Sequence, residues 1–275
     1  LEQSAVVRAV AVRGNSVSAE TRVEFTIETV HNAVLSFVSN GGSVVERVEL
    51  PVGTAVDLSA YVTEREGYDF TGWYLDAALT QPITSLTLEA DTTVYAGWRI
   101  RNPFVDVAEK DYFYDAVLWG VENGVVKGMD ETHFEPETVC TRAQALTFLW
   151  RANGMPQPKT TTNPFVDVDA SAYYYDAVLW GVENGIVKGM DETHFEPDTA
   201  CSRAHALTFL WRAKGMPQAS GTTFADVPAN AYYAQAVAWG VENGIVKGMD
   251  ETHFEPDTLC QRAHAVTFLW RAYAN

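Results

Sequence analysis

Cysteine is scarce in this chain: three residues among 275, at positions 140, 201 and 260, with no Cys-x-x-Cys anywhere. An odd number of thiols cannot all pair internally, so no disulfide framework holds the chain, and no paired-thiol redox or metal motif is present. Positive charge is thin as well. Nineteen Lys and Arg stand against 36 Asp and Glu, giving a net charge of −17 and a pI near 4.6. Nucleic acid and anionic membranes are repelled by such a surface and are excluded as bulk partners. An acidic ligand would have to be met by local positive groups. No run of 18 apolar residues occurs, which excludes a membrane-spanning helix and membrane insertion. No charged-then-apolar leader opens the chain, and its start at Leu1 in strand-like sequence reads as a piece cut from a longer protein. Finally, no nucleophile, base and orienter can be assembled, and there is no phosphate loop. The expectation is a chain without an active site or a cofactor; an enzyme upstream would be invisible here.

What is abundant is repetition. Trp119-Gly-Val-Glu-Asn-Gly-Val-Val-Lys-Gly-Met-Asp-Glu-Thr-His-Phe-Glu-Pro returns at Trp180 and Trp239, and positions 180–199 and 239–258 are identical. A unit of about fifty residues with two amphipathic segments cannot bury its apolar face alone, so the copies should share one core. The spacing predicts a helix over about Tyr112 to Asn123, ended by Gly124, then a loop, then a second helix opened by Thr141. Thr141 and Gln144 have the spacing of a capping box. Ala145, Leu146, Leu149 and Trp150 form an apolar stripe, and three such stripes should meet in a central three-helix bundle with the first helices outside.

The chain divides by composition. Residues 1–32 alternate apolar and polar (Val7, Ala9, Ala11, then Val23, Phe25, Ile27) around Arg13-Gly-Asn-Ser, predicting a β-hairpin. It resembles the last two strands of an immunoglobulin-like domain. Residues 33–99 contain Val34-Leu-Ser-Phe-Val, Asn40-Gly-Gly, a return strand from Val44 to Leu50, Gly67-Tyr-Asp-Phe-Thr-Gly-Trp-Tyr and Tyr95-Ala-Gly-Trp. These motifs resemble the Listeria–Bacteroides repeat, the internalin B-repeat type. The resemblance implies a small α+β domain of β-grasp fold serving as a surface spacer or adhesin. In so small a domain Trp73, Trp98 and Tyr68 are expected in the core. The repeats occupy residues 104–154, 165–215 and 224–275, separated by polar, proline-bearing connectors.

Phe104-Val-Asp-Val, Tyr112-Phe-Tyr-Asp-Ala-Val, Gly124-Val-Val-Lys-Gly, Phe134-Glu-Pro and Thr141-Arg-Ala-Gln, in order and tripled, resemble the S-layer homology domain. The sparse thiols fit the exported setting of that family. The resemblance implies an all-α pseudo-threefold trimer within one chain. Its expected role is to hold an exported bacterial protein non-covalently on secondary cell-wall polysaccharide, typically pyruvylated, in grooves between repeats. An interaction module, with the β-grasp domain binding a protein partner, is the competing expectation.

The family's functional arginine falls on Arg142, Arg203 and Arg262. An arginine in a first helical turn opposes the helix dipole by about 0.3–1 kcal/mol, which makes sense if an anion arrives there. Free amides at the helix start plus a guanidinium fork suit a carboxylate; a salt bridge to a neighbouring repeat's aspartate is the alternative. As exposed first-turn residues, these arginines should contribute little packing. The family's aspartate maps to Asp106, Asp167 and Asp226, which either face ligand or order the loop. Tyr112, Tyr173 and Tyr232 either stack on a sugar ring or pack against the bundle. Lys127, Lys188 and Lys247 would add a second positive charge.

The family's glutamate is replaced by Gln144, His205 and His264, and its threonine by Ser202 and Gln261 in the later repeats. Gln261 should cap poorly. His205 and His264 are expected to act beside Arg203 and Arg262, one turn away. Cys140, Cys201 and Cys260 should be small buried apolar groups rather than zinc ligands. The acidic loop Asp130-Glu-Thr-His133-Phe-Glu135 lacks the ligand spacing of a calcium loop and should be a turn pinned by Phe134 and Pro136, with His133, His194 and His253 bonding within it. No metal is expected.

Overall fold

The computed structural model describes residues 5–26, 30–221 and 224–274, which fall into two compact units divided after Arg101. The first unit is built of strands. Strands β1 (Ala5–Ala9) and β4 (Thr21–Phe25) pair antiparallel, with β2 (Val12–Arg13) and β3 (Ser16–Val17) continuing toward the turn. The predicted hairpin forms, although Ile27 lies outside the described residues. Apart from half-buried Ala5, its strand residues are exposed.

A five-stranded sheet follows. Its strands are β5 (Asn32–Val38), β6 (Val48–Pro51), β8 (Tyr68–Tyr74), β9 (Pro82–Ile83) and β11 (Thr92–Ile100), in the order β6-β5-β11-β8-β9, with β5 and β11 parallel. A second pair joins β7 (Thr54–Asp57) to β10 (Ser85–Leu88). The return strand starts at Val48 rather than Val44, and the only helical element in this unit, among the described residues, is a 3-10 turn at Leu58–Ala60. Leu35, Leu88 and Val94 pack with Trp73 in the core. Trp73 is buried as expected and donates its ring N–H to Tyr61 O at 2.8 Å; Tyr68 and Trp98 are only half-buried.

The second unit is helical. Each repeat supplies a first helix, α1 (Tyr114–Glu122), α3 (Tyr175–Glu183) or α5 (Ala234–Glu242), and a second helix, α2 (Arg142–Ala152), α4 (Arg203–Ala213) or α6 (Arg262–Tyr273). The expected capping box is present: Thr141 Oγ1 accepts the Gln144 N–H, and Gln144 Oε1 accepts the Thr141 N–H. Gly124 follows α1 with φ of 66°, a left-handed conformation that ends the helix. The helices α2, α4 and α6 pack on one another, while each first helix packs on the second helix of a different repeat: α1 on α6, α3 on α2 and α5 on α4.

Glycine permits that exchange. A Cβ on Gly181 of α3 would come within 3.3 Å of Leu146 of α2, and one on Gly120 of α1 within 3.0 Å of Val266 of α6. Leu146, Leu207 and Val266 are fully buried there, each contributing about 1.5–3 kcal/mol of apolar burial. Among α2, α4 and α6, Ala145, Leu149, Ala206, Leu210, Ala265 and Leu269 enclose a gap of about 20 Å³. At the helix starts the backbone closes a ring: the Cys140 N–H donates to Cys260 O at 2.9 Å, Cys201 to Cys140 O at 2.8 Å, and Cys260 to Cys201 O at 2.8 Å. The three cysteines are buried and free. Burial pushes the thiols of Cys140 and Cys201 up to about 12.

Candidate functional site

Each second helix begins on another repeat's loop. The Arg142 N–H donates to Thr199 O and the Ala143 N–H to Pro197 O; Arg203 and Ala204 use Thr258 O and Pro256 O in the same way. Arg262 and Ala263 use Thr138 O and Pro136 O, closing the circle. The amides expected to be free for an anion are therefore already occupied. Gln261 makes no side-chain cap bond, so α6 relies on these neighbouring carbonyls to begin.

The arginine side chains are not exposed, which overturns the expectation that they pack little: Arg142, Arg203 and Arg262 are 2%, 3% and 3% exposed. Arg142 Nε donates to Phe195 O at 2.9 Å and its Nη2 to Lys188 O at 3.4 Å. Arg203 reaches Phe254 O at 3.2 Å and Lys247 O at 3.0 Å, and Arg262 reaches Phe134 O at 2.8 Å and Lys127 O at 2.7 Å. Each guanidinium also lies over a phenylalanine ring, Arg142 at 4.8 Å from the Phe195 centroid. Burial lowers the pKa of all three arginines, but a guanidinium stays charged inside proteins. Its partners are carbonyl oxygens, not the aspartate expected as the alternative.

The aspartates hold the loop that holds the arginine. Asp106 Oδ1 accepts the Phe134 N–H at 2.9 Å and its Oδ2 accepts the Glu135 N–H at 2.7 Å, and Asp167 and Asp226 repeat the pattern. Glu135 sits at φ of 55°, a left-handed conformation that a glutamate adopts only when its surroundings impose it. Phe134 thus joins Asp106 through its N–H to Arg262 through its carbonyl.

Above Arg142 opens a cavity of about 150 Å³ whose walls include Lys188, His205, Thr208, Arg212 and Tyr232. The residues come from all three repeats: the arginine from the first, the lysine and histidine from the second, the tyrosine from the third. The structure therefore brings Arg142, Lys188 and Tyr232 together. The other two sites share the plan in part: the Lys247 and Lys127 carbonyls hold Arg203 and Arg262, and Tyr112 of the first repeat stacks on His264 of the third. Tyr112, Tyr173 and Tyr232 are each more than half exposed, although partial burial of the phenol raises their pKa. None of the three aspartates lines the Arg142 cavity.

The histidines belong to different arginines than their helices suggested. His205 stacks on Tyr232 with centroids 6.0 Å apart, and His264 on Tyr112 at 6.2 Å. Burial, and then the charge of Arg142, lower the His205 pKa, with Asp257 opposing; burial and Arg203 lower that of His264. Sequence reasoning missed Arg212 and Thr208. Arg212 donates its Nη1–H to Ile186 O at 3.0 Å beside the cavity. Its signal was the arginine recurring in each last turn, at 151, 212 and 271, where it reads simply as a helix-dipole complement.

The acidic loop is a turn. Asp130 Oδ1 accepts the N–H groups of Thr132 and His133 at 2.7 Å, and His133 Nδ1 lies 3.2 Å from the same oxygen. The Thr132 N–H leads the contacts that draw the Asp130 carboxyl down to about 2. Among the described residues no group of three or more His, Cys, Asp or Glu is placed to hold a metal ion. In the first unit a broad groove of about 740 Å³ is lined by Arg65, Tyr68, Phe70, Trp98 and Arg101, with the Arg65 guanidinium 3.7 Å from the Tyr68 ring centroid.

Comparison with known proteins gives the same division. Residues 34–97 match the Listeria-Bacteroides repeat domain, and residues 103–146, 164–207 and 223–266 each match the S-layer homology domain. The chain is 31% identical over 163 residues to the surface-layer 125 kDa protein of Lysinibacillus sphaericus, covering 57% of this chain and 14% of that one. It is 28% identical over 175 residues to an S-layer protein of Bacillus thuringiensis subsp. finitimus, covering 60% of this chain and 21% of that one. An amylopullulanase of Thermoanaerobacterium thermosulfurigenes is 25% identical over 183 residues, covering 64% and 10%. The chain thus spans between 10% and 21% of the length of these relatives.

Proposed function

Because the chain carries a Listeria–Bacteroides repeat followed by three S-layer homology domains, we propose that it anchors an exported bacterial surface protein non-covalently to the cell wall. Its place is the extracellular cell surface, and its domains point to anchoring rather than catalysis. The ligand is a secondary wall polysaccharide bearing pyruvate ketals, taken up where repeats meet. The three repeats form a pseudo-threefold trimer around a bundle of α2, α4 and α6; the closed ring of cysteine backbone bonds and the cyclic exchange of first helices support that arrangement.

One observation carries this reading. In a chain of net charge −17, the Arg142 cavity is lined by Arg142 and Arg212 with His205 and with Lys188, whose backbone carbonyl holds Arg142, and none of its lining residues, among those described, is acidic. Concentrating cations at a partly desolvated site costs free energy unless an anion shares it. The carboxylate of a pyruvate ketal supplies that charge. The exposed Tyr232 ring gives an aromatic plane for the attached sugar. The full chain should sediment with purified walls and remain in solution once mild acid has stripped the ketals. Sedimentation indifferent to that treatment would sink the proposal.

A second reading follows from the groove beside Tyr68 and Trp98: the first unit is an adhesin module that takes a protein partner. If residues 1–103 alone retained all wall binding, the first reading would fall.

A further inference from the structure

The three arginine sites share a plan but differ in how many polar atoms they leave without a partner. In the Arg142 cavity two buried side-chain atoms have no hydrogen-bond partner, His205 Nδ1 and Thr208 Oγ1. Thr208 is 1% exposed. The threonines at the matching positions are satisfied: Thr147 and Thr267 donate their hydroxyls to Ala143 O and Ala263 O at 2.7 Å. At the Arg203 site one such atom remains, His264 Nδ1. At the Arg262 site the corresponding Gln144 is committed to the Thr141 N–H. Of the two bonds each guanidinium makes, the Nη2 contact follows the same order, 3.4 Å in Arg142, 3.0 Å in Arg203 and 2.7 Å in Arg262, whereas Nε is longest in Arg203 at 3.2 Å; the Arg142 Nη2 gives up least on turning to a ligand.

We propose that the Arg142 cavity is the principal ligand site of the three, and that Thr208 Oγ1 and His205 Nδ1 bond the acidic group of the ligand there alongside Arg142 and Lys188. This rests on the anionic-ligand reading above. Buried polar atoms are rarely left unpaired in native proteins, and two of them belong to residues lining one cavity that also carries two arginines: a hydroxyl that can donate, and an imidazole nitrogen that donates to an anion in the matching tautomer or when protonated. The cavity volume of about 150 Å³ is on the order of five times a water's share of the liquid. It has room for one compact carboxylate-bearing group with part of a sugar ring, the rest of a longer glycan extending outward. Arg212 also lines the cavity and favours a ligand with a second oxygen-rich edge. The ranking is Arg142 site, Arg203 site, Arg262 site.

The test is calorimetry of the full chain against a monosaccharide carrying a pyruvate ketal. One strong site per chain is expected. Thr208→Val keeps the shape and removes the hydroxyl, so it should weaken that site roughly ten- to a hundredfold, the size of a lost bond to a charged group. Its melting temperature should be unchanged or higher, since an unpaired polar atom has gone. Thr267→Val should leave binding within about twofold, setting the scale of a change that touches only helix packing. His205→Gln, which installs the residue of the Arg262 site, should also weaken binding, and the His205 imidazole nitrogen resonances should shift on adding the sugar. Three equal sites, or Thr208→Val and His205→Gln chains binding like the parent, would overturn the proposal. So would no binding of the sugar. Wall sedimentation separates the two failures: if it persists and still depends on the ketals, only this assignment falls.

Discussion

The Arg142 and Arg262 sites are the same below and different above. Beneath each, a guanidinium is clamped to two carbonyls of another repeat, and an aspartate pins the loop that offers them. At the rim, one has His205 stacked on Tyr232 and an unpaired Thr208 hydroxyl, whereas the other has Gln144 closed into its own capping box. The lower half is architecture and has to recur, because every repeat must be held to its neighbour. The rim carries no such duty and is free to differ, and the proposed ligand site draws on that difference.

The largest effect should come from breaking the shared half. Arg262→Ala removes two bonds from a buried charged donor to carbonyls that then lack a partner, at about 1.5–3 kcal/mol each. A loss of roughly 3–5 kcal/mol is expected, which in a unit of this size lowers the melting temperature by about 6–20 °C. Arg142→Ala should cost less, because its Nη2 contact is the long one at 3.4 Å. Thermal unfolding followed by circular dichroism measures both. A melting point within about 2 °C of the parent for Arg262→Ala would mean that the clamp is not what joins the repeats. The arginines can therefore be tested as ligand groups only in variants whose folding has been measured.

The rims should part company with pH. His205 and His264 have folded pKa values below the usual 6.5, because burial and a neighbouring arginine disfavour the proton. The unfolded chain then binds more protons than the native one just below pH 6.5, so stability is complete above that value and is lost as pH falls through it. An anionic ligand in the cavity reverses the preference by raising the His205 pKa, so its binding should strengthen over the same descent. His205→Gln and His264→Gln should flatten both responses, and Gln144→His should introduce them at the Arg262 site. Identical acid profiles for the parent and the double glutamine variant would show that the rims do not differ in this respect.

The smallest contrast lies at the helix starts. Thr141 and Ser202 cap α2 and α4 with their hydroxyls, whereas Gln261 leaves α6 without a side-chain cap. Gln261→Ser should stabilise the chain by about 0.5–1 kcal/mol, read as a rise in the denaturation midpoint. A fall instead would mean that the longer side chain makes a contact that the neighbouring carbonyls do not replace.

Much of this was legible along the chain. Periodicity in Ala145, Leu146, Leu149 and Trp150 marked a helix, Thr141 and Gln144 marked its start, and Gly124 marked the end of the one before. Three cysteines in equivalent apolar positions were expected to be buried and are. These features depend on residues a few positions apart, whose relation local geometry settles. The arginine was misread for the same reason. Its position in a first turn was visible, but its burial depends on a loop 46 to 53 residues away for Arg142. The histidines were assigned to arginines on their own helices because nothing in a repeat says which other repeat it faces.

What the sequence by itself determined is the unit: two helices, a pinned turn, a capped second start and an apolar stripe too wide to leave in water. Only the tertiary structure decided the exchange, with α1 on α6, α3 on α2 and α5 on α4, and so which arginine meets which lysine, histidine and tyrosine. The physical reason lies in the repetition itself. Residues 180–199 and 239–258 are identical, so one repeat's surface fits either neighbour equally well by composition. Close approach at Gly120, Gly181 and Gly240 and closure of the backbone ring at the cysteines accompany the single pairing that the fold adopts.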